Sequence, residues 1–189
     1  MKWRTLALAT AIGAAAVNAS AATITYSTLG RFNGGAFSSS PTLTVGGASM
    51  TFNALGSTSV DPGNLSFGTF DSNAIGSGGT IPVGTTFDLQ IVQTTPMSGT
   101  GVLSATLSGM ISTTSSSVRL IFGTTSLSIG GVAYNLDQPL SGIAIVSPSS
   151  NAGLTTIQGS ASEVPEPSSA ALVAGPLLGL GILGRRRAA

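Results

Sequence analysis

Four aspartates, Asp61, Asp71, Asp88 and Asp137, are the residues of this chain best suited to proton transfer. Two carboxylates flanking a sugar bond would be glycosidase chemistry, which also asks for a deep cleft and sugar-stacking aromatics. The only tryptophan is Trp3, near the start of the chain. Asp61 falls in Asp61-Pro62-Gly63, where aspartate and proline serve a turn. Asp88 falls on the polar side of an alternating stretch. Calcium is the other chemistry to weigh. Asp71-Ser72-Asn73 spaces two oxygen-bearing side chains two apart, and Asp61 and Asn64 flank a second turn. No stretch matches an EF-hand loop or a calcium-binding glycine repeat, so turn formation is their expected role. Serine is abundant, but the chain has no histidine and no cysteine, and its only lysine is Lys2. Serine–histidine hydrolysis, thiolate catalysis, disulfides and cysteine-ligated zinc are excluded together. No catalytic, cofactor-binding or metal-ligating residue is expected, and no enzyme.

The elements that would position these groups lie between two unusual ends. Lys2 and Arg4 precede an alanine-rich apolar stretch over residues 6–17, and Ala19-Ser20-Ala21 is a small-x-small site. That order reads as a secretory leader, 1–21, cut after Ala21. About twelve apolar residues are too few for a permanent anchor, which needs roughly 20. At the other end, Val164-Pro165-Glu166-Pro167 is followed by an apolar stretch over 170–183 and then by Arg185, Arg186 and Arg187.

Removing both ends reverses the charge. The full chain is formally +1, yet residues 22–163 hold only Arg31 and Arg119 against Asp61, Asp71, Asp88, Asp137 and Glu163, a net of −3. Phosphate neutralisation needs clustered Lys and Arg, so no nucleic-acid partner is expected. What remains is the size of one domain of about 140 residues.

That domain reads as strands and turns. Phe87, Leu89 and Ile91 alternate with Asp88, Gln90 and Val92, and Leu103, Ala105 and Leu107 alternate with Ser104, Thr106 and Ser108. Val118, Leu120 and Phe122 bracket Arg119, which should face solvent. This period of two marks antiparallel sheets with one wet face. Gly46-Gly47 and Gly130-Gly131 each join two alternating runs and suit type I′ hairpins. Expected strands cover roughly 23–28, 41–45, 48–54, 65–70, 86–93, 101–109, 117–122, 125–129, 132–136, 141–146 and 154–160. The expected architecture is all-β, an antiparallel sandwich of jelly-roll or Ig-like kind over 22–160. It would be flanked by an N-terminal signal helix and a short C-terminal apolar helix, with 161–169 as a linker. Tyr26, Phe32, Phe70 and Tyr134 could form a ligand-facing patch, but are expected as core or edge aromatics of a sheet. Serine-rich stretches at 112–117 and 147–151 read as polar loops, and Asn64-Leu65-Ser66 matches a glycosylation sequon.

The last 26 residues closely resemble the PEP-CTERM sorting signal of Gram-negative bacteria: a Val-Pro-Glu-Pro motif, an apolar segment and a terminal arginine cluster, in that order. Residues 25–28 and 32–35 also resemble the small β-rich passengers of that family. The resemblance implies an exosortase that recognises the tail and cuts near Pro165-Glu166-Pro167. It implies a transient inner-membrane anchor, with the three arginines as a cytoplasmic stop. Delivery to the cell surface or extracellular matrix follows, in association with exopolysaccharide and biofilm. An ordinary C-terminal anchor is the competing reading, and it leaves the Pro-Glu-Pro motif unexplained. The expected function is thus an exported surface or matrix protein. The alternative is a carbohydrate-binding module or adhesin with a defined glycan.

Overall fold

A computed structural model describes residues 22–164. The expected leader, Pro165 to Pro167, the apolar tail, Arg185 to Arg187 and the two expected helices lie outside the described residues. Among the described residues there are twelve strands and one 3₁₀ turn at Asn151–Gly153. They are β1 (Ile24–Phe32), β2 (Thr42–Val45), β3 (Ala48–Asn53), β4 (Thr58–Val60), β5 (Gly63–Ala74) and β6 (Gly79–Thr95). β7 (Gly99–Ile111), β8 (Arg119–Phe122), β9 (Ser126–Ile129), β10 (Val132–Leu136), β11 (Ile143–Ala144) and β12 (Leu154–Glu163) complete the set. No helix among them is long and apolar enough to cross a membrane.

The strands form two six-stranded antiparallel sheets. The first runs β11-β8-β7-β6-β1-β4 and the second β2-β3-β5-β12-β10-β9. Period-two alternation turns one side of each inward. Ile24 and Tyr26 of β1 and Phe87, Leu89 and Ile91 of β6 face Phe52, Phe70, Tyr134 and Ile157 of the second sheet, all almost wholly buried. Phe52, Phe70 and Phe87 pack with ring centroids 4.9 to 5.3 Å apart. Gly30 makes room for them: a Cβ there would stand 2.5 Å from the Phe52 ring. Tyr26, Phe70 and Tyr134 are core, and Phe32, partly buried, packs against it.

Two irregularities set which side chains face outward. β5 changes parity at Phe67-Gly68, where the register against β12 shifts. Leu65 and Phe67 point inward before the shift, and Phe70, Ser72 and Ala74 after it. Gly68 takes φ +123, and a Cβ there would lie 2.7 Å from Phe52. β6 carries three residues, Pro82-Val83-Gly84, against a single residue of β7 between Ile81 and Thr85. This excursion hides the continuity of a 17-residue strand behind a proline and a glycine.

The structure amends three expectations. β4 is a strand, pairing with the first three residues of β1. Residues 161–163, read as linker, continue β12: Ala161 is buried, and Glu163 pairs with Val132. Gly130 and Gly131 both take positive φ, as a type I′ turn requires, whereas at the β2–β3 turn only Gly46 does. Gly47 serves close approach instead, since a Cβ would meet Ile75 O at 2.5 Å.

The edges of the first sheet are closed by non-strand groups. Thr28 N donates to Leu55 O, and Gly30 and Ser38 exchange two backbone bonds along β1. Along β8, the Gln138 side chain accepts from Phe122 N (2.6 Å) and donates to Phe122 O (3.2 Å), imitating a neighbouring strand. Such covers keep an open ladder from recruiting other chains.

Candidate functional site

The four aspartates are not brought together. Asp88 lies on the outer face of the first sheet, opposite Arg31 and Ser104. Asp71 lies on the outer face of the second, opposite Thr51 and Leu154. Asp137 follows β10, its N–H donating to Gln158 O. On β12 that is four residues from Leu154, the residue opposite Asp71. At about 3.3 Å per residue the two are separated by more than the roughly 6.5–9.5 Å of an inverting carboxylate pair. Asp61 sits in the β4–β5 turn. Among the described residues no three metal-ligating side chains cluster.

Asp88 is more enclosed than its place on a polar face suggests. Its Oδ2 accepts from Arg31 Nε at 2.7 Å, and Arg31 also lies 4.3 Å from the Phe37 ring centroid. The guanidinium is thus held between a carboxylate and a ring, which is structural work. Arg119 is exposed as expected.

The second sheet carries the clefts. The larger, about 450 Å³, is lined by Ser49, Thr51, Asp71, Asn73, Pro148 and Ala152. Period two puts Asp71 and Asn73 outward and Ser72 inward, buried and donating to Val146 O at 2.6 Å. Ser72 Oγ also lies 3.2 Å from Gly153 O, which fixes the turn forming the far wall. That turn is left-handed: Asn151, Ala152 and Gly153 have φ of +49, +51 and +78. A left-handed alanine costs about 1–2 kcal/mol, so the packing around Ser72 overrides local preference. A second cleft of about 300 Å³ is lined by Asn64, Ser66, Asp137, Gln158 and Gly159.

Between the clefts the outer face is a lattice of hydroxyls and amides. Ser126, Asn135, Ser160 and Asn64 stand opposite one another across β9, β10, β12 and β5. Thr42 and Thr51 share a 2.8 Å hydroxyl contact beside Asp71. Asn53, Thr69 and Thr156 make a further row. Such a face offers donors and acceptors without aromatic platforms. It suits an extended, hydrated, hydroxyl-bearing ligand better than a small one.

One polar device went unexpected. Gln93 is buried between the sheets, accepting from Tyr134 OH at 2.6 Å and donating to Met97 O at 2.7 Å. Tyr26 OH donates to Ser66 O at 2.6 Å. Burial pushes both tyrosines up to about 12, Tyr134 with a smaller contribution from Tyr26 beside it. The signal was in the alternation: after Phe87, Leu89 and Ile91, the next inward position is Gln93. No family model, curated protein or solved structure matches this chain.

Proposed function

We propose that this chain is an exported, non-catalytic protein of the cell surface or extracellular matrix, sorted through its C-terminal tail. It meets hydrated polysaccharide across the outer face of the second sheet. The supporting observation is that face: cross-strand rows of Ser, Thr and Asn, with Asp71 as the one carboxylate on their strands' outward positions. A polymer of hydroxyls exchanges hydrogen bonds there without the desolvation cost of buried charge. The scattered aspartates favour this reading over a hydrolase.

The tail supports the sorting half. β12 ends at Glu163, directly before Val164-Pro165-Glu166-Pro167, so the motif begins where the folded strand stops. An exosortase would cut there, after the inner membrane has held the apolar segment transiently. Mass spectrometry of surface-released protein should find no peptide from 172–189, and recovery of the intact tail would refute processing. A glycan array on the exported protein separates the general matrix role from a carbohydrate-binding module or adhesin, for which one saturable hit is the signature.

A further inference from the structure

The two ends of the described chain meet. Ala22 N donates to Glu163 Oε1, across 141 residues of sequence. β1 starts two residues after Ala22 in the first sheet, and β12 ends at Glu163 in the second, so the contact bridges the sheets. Glu163 also pairs with Val132, and Val164 N donates to Gly131 O at 2.7 Å. The last residues before the Pro-Glu-Pro motif are therefore held by backbone on one side and by a carboxylate on the other.

In the uncut chain Ala22 N is an uncharged peptide N–H. Hydrolysis after Ala21 adds water across that bond. Ala21 leaves as a carboxylate, and Ala22 keeps an amine that is mostly protonated at neutral pH. The charge then appears beside a carboxylate already in place. Among the described residues Asp61 is the other charged residue brought to this end, because Val60 pairs with Ile24 and Gly63 with Ala161. The two described arginines stand elsewhere, Arg31 against Asp88 and Arg119 against Ser108.

We propose that leader removal converts this contact into an Ala22 ammonium–Glu163 carboxylate ion pair, a clasp that pins the end of β12. The inference rests on reading residues 1–21 as a cleaved leader. The contact is already made in the uncut chain, its ionic form arises only once the leader has been removed, and it fixes the base from which the sorting tail departs. An exposed pair of this kind contributes little to global stability, so its effect is local and positional.

The mature chain offers a clean test, since it contains no lysine and its α-amine is its single primary amine. The exported protein is purified, its first residue identified by N-terminal sequencing, and the amine tagged by reductive ¹³C-methylation and titrated by NMR. The amine should titrate above the ordinary range of about 7.7–8.0, and Glu163→Gln should return it to that range. Asp61→Asn should leave most of the rise in place. Coincident titrations of wild type and Glu163→Gln, with Ala22 as first residue, would overturn the clasp. A first residue other than Ala22 would instead overturn the leader reading on which it rests.

Discussion

On the outer face of the first sheet, Arg31 is paired with Asp88, and Val102 and Ile121 stand exposed on the neighbouring strands. On the outer face of the second, Ser126, Asn135, Ser160 and Asn64 run in one uncharged row across four strands. Both faces arise from the same period of two, so backbone geometry does not distinguish them. The difference lies in what the outward positions contain. The first face pairs Arg31 with Asp88, leaves Arg119 exposed, and has its edges closed by Leu55, Ser38 and Gln138. The second leaves its hydroxyls and amides to solvent beside the clefts at Asp71 and Asp137. The proposed polysaccharide surface is the second face; the first, which also exposes Ser104 and Thr106, serves as its control.

The contrast can be broken most severely at the centre of the second sheet. Gly159 is an inward position opposite Leu136 and Leu65, where a Cβ would stand 2.0 Å from Asn135 O and 2.7 Å from the Phe67 ring. Gly159→Ala should cost about 3 kcal/mol, at the upper end of overpacking penalties, as read by urea unfolding. The next largest effect tests how the faces are joined. Gln93→Leu strands the Tyr134 hydroxyl and Met97 O, and should cost about 2 kcal/mol in the same assay.

Alkaline pH attacks the same joint. The folded tyrosines are raised from 10.0 to about 12, so their contribution is complete below pH 10 and is lost as pH rises through 12. Unfolding midpoints should fall over that window, and Tyr134→Phe should make the fall shallower. On the first face, Arg31→Ala removes a partly exposed pair and should cost about 1 kcal/mol or less, fading with salt. Smallest is Ala152→Gly in the cleft wall. Relief of the left-handed alanine should raise stability by about 0.5–1 kcal/mol in thermal unfolding.

How much of this was legible follows from the physics of each element. The strands around Phe87 and Leu103 announce themselves because alternation survives wherever one face is buried. The glycine-rich surroundings of Asp71-Ser72-Asn73 read as a turn, whereas β5 continues to Ala74 and turns Asp71 and Asn73 outward. β4 is silent, because three residues pairing with the end of β1 need no apolar pattern of their own. The full length of β6 is hidden by Pro82 and Gly84, which read as a stop although the strand resumes at Thr85. The cleft was also illegible: Asp71 meets Pro148 and Ala152 only because Ser72 ties β5 to a turn some eighty residues later. Gln93 was readable by parity and was obscured by its polarity.

We propose that the second face, and not the first, meets polysaccharide. It is tested most directly by co-sedimenting the exported protein with the polymer of the producing cell. Two double variants are compared, both at exposed outward positions: Asn135→Glu with Thr156→Glu on the second face, and Ser104→Glu with Thr106→Glu on the first. The account predicts that the second-face variant loses at least about tenfold in retention, the 1.4 kcal/mol expected of a few broken hydrogen bonds, while the first-face variant sediments like wild type. Equal behaviour of the two variants would contradict it.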